Sequence, residues 1–157
     1  MTILKTLCLI TLLVGSFAAS ANLRAAENLR LNPRLDYSSD SQDGPLITGD
    51  RIEDGAVRGK PNYVFIFGEG CYNSKRQARR TVSLYGKYKG RVRFVIIDLD
   101  KPHSAGQQSL IKAHYHGFIP HVAILDAKGN AIYDKAGEVS EADVSRILDI
   151  LTEGKAK

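Results

Sequence analysis

Apolar residues are sparse over residues 22–60 and gather into short blocks after Pro61. Tyr63-Val64-Phe65-Ile66-Phe67 is an unbroken β-branched and aromatic run, the pattern of a strand covered on both faces. Gly68-Glu69-Gly70 interrupts it. Ala78, Val82 and Tyr85 then recur at helical spacing among charged residues, which predicts a helix over Ser74–Tyr88, with Gly86 and Gly90 marking its end. Val92–Ile97 predicts a second covered strand. Ser104–His114 predicts a helix with Leu110 and Ile111 facing inward, and Val122–Leu125 a third strand. Lys128-Gly129-Asn130 turns the chain into a fourth strand, Ala131–Tyr133, as a hairpin. Ser140-Glu141-Ala142-Asp143 has the form of a capping box with Asp in the place of Glu. It opens a helix whose inner stripe is Val144, Ile147, Leu148 and Leu151 and which Gly154 ends. The order β-α-β-α-β-β-α predicts an α/β domain: a right-handed parallel crossover, an edge hairpin, and a central mixed β-sheet flanked by helices.

Two segments precede this domain. In residues 1–21, Lys5 stands before an apolar run, Leu7–Val14, and small residues close the segment as Ala19-Ser20-Ala21. That is the pattern of a cleaved signal peptide, which implies a periplasmic or secreted protein; an uncleaved membrane anchor is the alternative. Residues 22–60 are rich in Asn, Asp, Ser, Gly and Arg, as in Ser38-Ser39-Asp40-Ser41-Gln42-Asp43-Gly44-Pro45. This composition predicts a polar leader of loop or partly disordered chain, with at most a short strand near Leu46–Thr48. The compact domain is then expected over residues 61–154.

Composition excludes whole classes. With 43% hydrophobic and 25% charged residues in 157, the chain is neither disordered nor a coiled coil, and two cysteines are too few for a disulfide-stapled miniprotein. One apolar run of signal length excludes a polytopic membrane protein. The formal net charge of +5 becomes informative once it is located. Between Cys71 and Ile97 stand Lys75, Arg76, Arg79, Arg80, Lys87, Lys89, Arg91 and Arg93, with no Asp or Glu. An acidic partner on the basic helix is therefore an expectation.

Signal cleavage would remove Cys8 and leave Cys71 alone in an oxidising compartment. A lone thiol there forms no internal disulfide; it is either inert and buried or a free reactive group. Its place between a covered strand and a helix puts the sulfur near the helix N-terminus. Unpaired N–H groups and the positive end of the macrodipole favour a thiolate there. Lys75 and Arg76 are close enough to add to that effect, and Glu69 opposes it. Ser74 stands three residues on, where its hydroxyl either reaches the sulfur or caps a backbone N–H.

The domain resembles thioredoxin. Phe67-Gly68-Glu69-Gly70-Cys71-Tyr72-Asn73-Ser74-Lys75 is similar to that family's active-site stretch, whose core is Cys-x-x-Cys followed by Lys. Asp98-Leu99-Asp100 resembles the strand that ends in an acidic pair, and Ile119-Pro120 the Ile-cis-Pro element lying against the active-site cysteine. Asp126-Ala127-Lys128-Gly129-Asn130 and Gly137 match the family's hairpin and the glycine beyond it. The resemblance covers residues 61–152 and implies a thioredoxin-like fold, with Cys71 and Ser74 as catalytic positions and Tyr72, Asn73, Ile119 and Pro120 as substrate-binding ones. It also implies a cis bond at Pro120, against a trans proline opening an edge strand.

Three departures bear on activity. Ser74 replaces the second cysteine, so a mixed disulfide at Cys71 has no internal route of release. Gly70 stands where an aromatic residue is usual, and Tyr72-Asn73 replaces Gly-Pro. Phe65 stands where the family often buries a proton-accepting acid.

The chain thus reads as an exported monothiol protein for thiol–disulfide exchange of the isomerase or deglutathionylation type. Its partners would be client proteins with disulfides or small thiols, and an external thiol would complete each cycle. The alternative is a non-catalytic peptide-binding module of the same fold. No cofactor is expected, nor stable membrane insertion after signal cleavage. Nucleic acid is not an expected partner, since the basic residues lack interleaved stacking aromatics. His114, His116 and His121 fall within eight residues, but their spacing matches no compact zinc motif; they are expected to be surface or capping groups, with His121 near Cys71 if the resemblance holds. His103 is expected in a loop.

Overall fold

A computed structural model describes residues 26–41 and 44–153. The proposed signal segment and Gly154 lie outside them. In chain order the elements are β1 (Glu27–Leu31), β2 (Ile47–Asp50), β3 (Asn62–Phe67), α1 (Tyr72–Tyr88), β4 (Arg93–Asp98), α2 (Ala105–His114), β5 (His121–Leu125), β6 (Ala131–Ala136) and α3 (Glu141–Glu153).

The main sheet has the order β4-β3-β5-β6. β3 and β4 are parallel in the register Tyr63↔Phe94 and Phe67↔Asp98. β5 runs antiparallel to β3, and β6 antiparallel to β5. This is the predicted mixed sheet with a parallel crossover and an edge hairpin. Every residue of β3 is buried, as expected of a central strand covered on both faces. Tyr63, Phe65 and Phe67 join the larger core with Ala78 and Leu84 of α1 and Val144 and Leu148 of α3. Val64 and Ile66 face the other way, into a smaller core with Leu110 of α2.

Two local expectations change. α1 starts at Tyr72, two residues early, because Cys71 itself is its N-cap. Its buried side also differs from the predicted stripe: Thr81 and Leu84 are buried, whereas Val82 and Tyr85 are only partly so. Polar pairing is the reason. Tyr63 Oη lies 2.9 Å from Thr81 Oγ1 and receives a hydrogen bond from Gln77 Nε2 at 3.3 Å, so two polar helix residues turn inward.

The larger correction concerns residues 26–60. They are not a loose leader. β1 and β2 pair antiparallel as a second, two-stranded sheet. Leu29, Tyr37, Leu46 and Ile47 are buried within the larger core. Six apolar side chains spread over nineteen residues (Leu29, Leu31, Leu35, Tyr37, Leu46 and Ile47) carry no periodicity, yet they suffice once a helix supplies the opposite wall. Asn28 N–H donates to Tyr85 Oη at 2.9 Å, and Arg79 lies over the Tyr37 ring at 5.6 Å, so the segment packs along α1. Gly55 also approaches α2 closely: a Cβ there would meet Gly106 Cα at 3.0 Å. Among the described residues, no helix is long and apolar enough to cross a membrane.

Candidate functional site

The turn of residues 68–70 carries the chain from β3 to α1. Its tight fit explains one glycine: a Cβ on Gly68 would lie 2.8 Å from Ile119 Cδ1. Glu69 N–H donates to Asp100 Oδ2 at 2.8 Å, tying the turn to the chain after β4. Cys71 follows as N-cap with φ −100° and ψ 116°. Its carbonyl accepts from Lys75 N–H at 3.0 Å, and its side chain makes no capping bond. The thiol is half-buried and free. Sγ lies 4.0 Å from the carbonyl oxygen of Ile119, and the Ile119–Pro120 peptide bond is cis. The sulfur, the helix N-terminus and the cis-proline turn therefore meet at one point. The Pro120 carbonyl is already taken by Gly137 N–H at 2.7 Å, so the Ile119 carbonyl is the group turned toward the sulfur.

The neighbours predicted from sequence divide. Tyr72 and Asn73 flank the sulfur; Tyr72 is exposed, and Asn73 Oδ1 accepts from Arg76 Nη2 at 3.1 Å. Phe118, next to Ile119 in the chain, is 71% exposed. Sequence reasoning passed over Phe118, although its place before Ile119-Pro120 marked it. Ser74 does neither thing expected of it. It is fully buried, and its Oγ has no hydrogen-bond partner among the described residues. Lys75 is also fully buried, and Nζ donates to the Asp36 carbonyl at 2.6 Å and to Ser41 Oγ at 3.0 Å. It anchors the segment before β2 rather than stabilising a thiolate. Arg76 stays near the site, stacked over Tyr72 at 5.0 Å, but it is ion-paired with Glu138. Arg80 pairs with the same carboxylate at 2.9 Å. Of the predicted basic stripe, Lys75 is buried, Arg76 and Arg80 pair with Glu138, and Arg79 stays exposed over the Tyr37 ring.

One group near the sulfur was not foreseen. Asp40 Oδ1 accepts from Tyr72 N–H at 2.7 Å. The segment before β2 thus crosses the start of α1 and satisfies its first N–H from outside, which Cys71 does not do.

The histidines are structural to a degree the sequence did not reveal. His114 Nδ1 lies 2.6 Å from Asp134 Oδ2, and His121 Nε2 is hydrogen-bonded to Asp134 Oδ1. Asp134 therefore bridges the end of α2 to the first residue of β5. Burial pushes its carboxyl up, but hydrogen bonds and charge from the two histidines outweigh this and hold it below the usual carboxylate range. His121 and His114 are buried rather than on the surface. The His116 and His121 rings meet edge-on at 6.2 Å. His103 Nε2 lies 2.9 Å from the Asp98 carbonyl.

Behind the turn sits an acidic group. Lys101 Nζ is 2.9 Å from Glu69 Oε1, and Asp98 Oδ1 accepts from Asp100 N–H at 3.0 Å. Beside Asp98, Ile47 and Ile52 on one side and Phe67 and Ile96 on the other enclose a cavity of about 300 Å³.

No protein-family model matches the chain. It is 27% identical over 139 residues to the thioredoxin-like protein HCF164 of Arabidopsis thaliana chloroplasts, an alignment that takes in 87% of this chain. The chain spans about half the length of that curated relative, 51%. Among solved structures it is similar to a thioredoxin-fold protein from Helicobacter pylori, with a TM-score of 0.53 and 16% identity over 64% of this chain and 74% of that one. It is also similar to thioredoxin-2 of the malaria parasite, with a TM-score of 0.50 and 20% identity over 63% of this chain and 98% of that one. The fold is that of thioredoxin.

Proposed function

We propose that this thioredoxin-like protein performs thiol–disulfide exchange through Cys71 alone, as an exported monothiol enzyme. The observation that carries the reading is the half-buried, free Cys71 thiol at the N-cap of α1, 4.0 Å from the carbonyl before cis-Pro120, with no second thiol at Ser74. The signal-like pattern of residues 1–21 supports an oxidising, extracytoplasmic setting. Relatives named thioredoxin-like support redox chemistry of this type.

The chemistry balances in two exchanges. The Cys71 thiolate attacks a client–glutathione disulfide; the Cys71–glutathione bond forms, the client–glutathione bond breaks, and the client leaves as a thiolate that takes a proton from water. A second glutathione thiolate then attacks the Cys71-bound sulfur, glutathione disulfide leaves, and the Cys71 thiolate is restored. Cys71 ends as it began; one free glutathione thiol and the glutathione carried by the client have become glutathione disulfide, and the client is released as a thiol. Tyr72, next to Cys71, and Phe118, next to Ile119, are both exposed, and they offer aromatic surface for the residues beside a client cysteine.

The test is turnover of a glutathionylated peptide with reduced glutathione in excess. Wild type is expected to accelerate release of the peptide, and Cys71→Ser to fall to the uncatalysed rate. Equal rates for the two would overturn the proposal. A second reading, a peptide-binding module, is favoured by Asp40 at the Tyr72 N–H, because its carboxylate occupies a donor otherwise free to steady a thiolate. Under that reading, Cys71→Ser keeps full affinity for a client peptide.

A further inference from the structure

The exchange chemistry leaves one buried pair unused. Glu69 stands two residues before Cys71 and is 6% exposed. Its carboxyl lies beside that of Asp98, at the end of β4, and its charge acts on it. Asp98 Oδ1 takes the Asp100 N–H, which leaves Asp98 Oδ2 shut from solvent with no N–H or hydroxyl donor among the described residues. Two carboxyl groups in contact cannot both be ionised without a donor between them, and a proton on one of them is that donor. The surrounding charges decide which one holds it. Lys101 Nζ, 2.9 Å from Glu69 Oε1, compensates an ionised Glu69. Lys101 also acts on Asp98, but no ion pair joins the two among the described residues. The other charged and titratable groups around Asp98 are Asp100, the loop residue His103, whose Nε2 meets the Asp98 carbonyl, and Glu53, across the cavity on the β2 side.

We propose that Asp98 donates one shared proton to Glu69, and that this bond pins the turn of residues 68–70 as a positioning element for Cys71. The inference rests on reading Cys71 as the exchange site. The turn transmits the effect because Gly68 packs against Ile119, whose carbonyl faces the sulfur. Burial pushes the Asp98 carboxyl up, the Asp100 N–H opposes this, and the hydrogen bond and charge of Glu69 reinforce it, placing it at about 7. The pin therefore holds on the acid side of neutrality and is lost above it, when two buried carboxylates face each other.

The experiment follows the full chain in wild type, Asp98→Asn and Glu69→Gln. It measures side-chain carboxyl titration by NMR and, across about pH 5 to 9, hydrogen-exchange protection of the Glu69 amide and the alkylation rate of Cys71. Wild type is expected to show the Asp98 carboxyl titrating at about 7 and the Glu69 amide losing roughly tenfold or more of its protection across that midpoint. Each variant carries a permanent amide donor, so protection should stay constant and the matching inflection in alkylation should vanish. An Asp98 carboxyl titrating in the ordinary range, near 4, would overturn the proposal. So would variants whose protection and alkylation follow pH as wild type does. If Asp98→Asn fails to fold, Glu69→Gln carries the same test, because its amide faces the same oxygen. Glutathione-adduct formation on Cys71, read in the same samples, separates the two ideas. Its absence beside an intact Asp98 titration overturns the exchange reading and leaves the pinned turn standing.

Discussion

Ser74 shows how far a residue's place in the chain falls short of its role in the fold. Its position three residues after Cys71 was legible, and so was the missing second sulfur. The direction of its side chain was not: the hydroxyl is fully buried and has no partner among the described residues. Burying an unpaired hydroxyl costs about 1–3 kcal/mol. Ser74→Ala should therefore stabilise the protein by about 1 kcal/mol in urea denaturation; a loss of that size would mean the hydroxyl has a partner. Ser74→Cys should convert the site to a dithiol. An adduct on Cys71 would then be released internally, and the protein would collect as an intramolecular disulfide rather than as a mixed one. Lys75 teaches the same lesson. Adjacency to the cysteine suggested a thiolate partner, but helical geometry turns its ammonium to the Asp36 carbonyl and Ser41. Sequence distance measures what is near along the chain, and a helix sends successive side chains about 100° apart.

At the scale of elements, the sequence pattern found every strand of the main sheet and the helices that flank it, gave β2 only as a short strand near Leu46–Thr48, and missed β1. β3 and β4 announce themselves as continuous apolar runs because both faces are covered. β1 (Glu27–Leu31) has one buried residue, Leu29, and a bulge between Glu27 and Arg30, so no alternation survives to be read. The capping of α1 was equally hidden, since its N-terminal N–H is met by a carboxylate thirty-two residues upstream. If that carboxylate acts as the missing cap, Asp40→Ala should cost about 1 kcal/mol. Asp40→Asn, which keeps an acceptor oxygen, should recover most of it. Equal stability of all three proteins by urea denaturation would show that the helix start has no need of the segment crossing it. Ser140 Oγ accepts from Asp143 N–H at 3.1 Å at the start of α3, as its spacing predicts, but the full reciprocal box lies at α2. There Gln107 N–H donates to Ser104 Oγ at 3.3 Å, and Ser104 N–H to Gln107 Oε1 at 3.2 Å. The signature was present in the sequence, two residues after His103-leading Pro102, and was overshadowed by the one at Ser140.

Across the whole molecule, two carboxyls give stability opposite responses to pH. Asp134 is held below its ordinary range by His114 and His121. Its contribution is present above the unfolded carboxylate value, near 4, and is lost as pH falls through the folded one. Asp98 is raised to about 7. The folded state there binds a proton that the unfolded state has released, so stability falls as pH climbs from about 4 toward 7. Urea midpoints should accordingly peak on the acid side of neutrality. Asp134→Asn should flatten the acid limb and Asp98→Asn the limb toward neutral pH; unchanged limbs in both would contradict these assignments. The thioredoxin fold was legible because ordered landmarks from Phe67 to Gly137 keep their spacing, whereas the wrapped segment before Pro61 has no such landmarks. The central claim is that Cys71 exchanges with disulfides and has no internal means of release. Its most direct test is the intact mass of the protein after brief exposure to oxidised glutathione and acid quench. The account predicts a single glutathione adduct on Cys71 that persists until an external thiol is added; an unmodified mass, or an adduct that clears without added thiol, would contradict it.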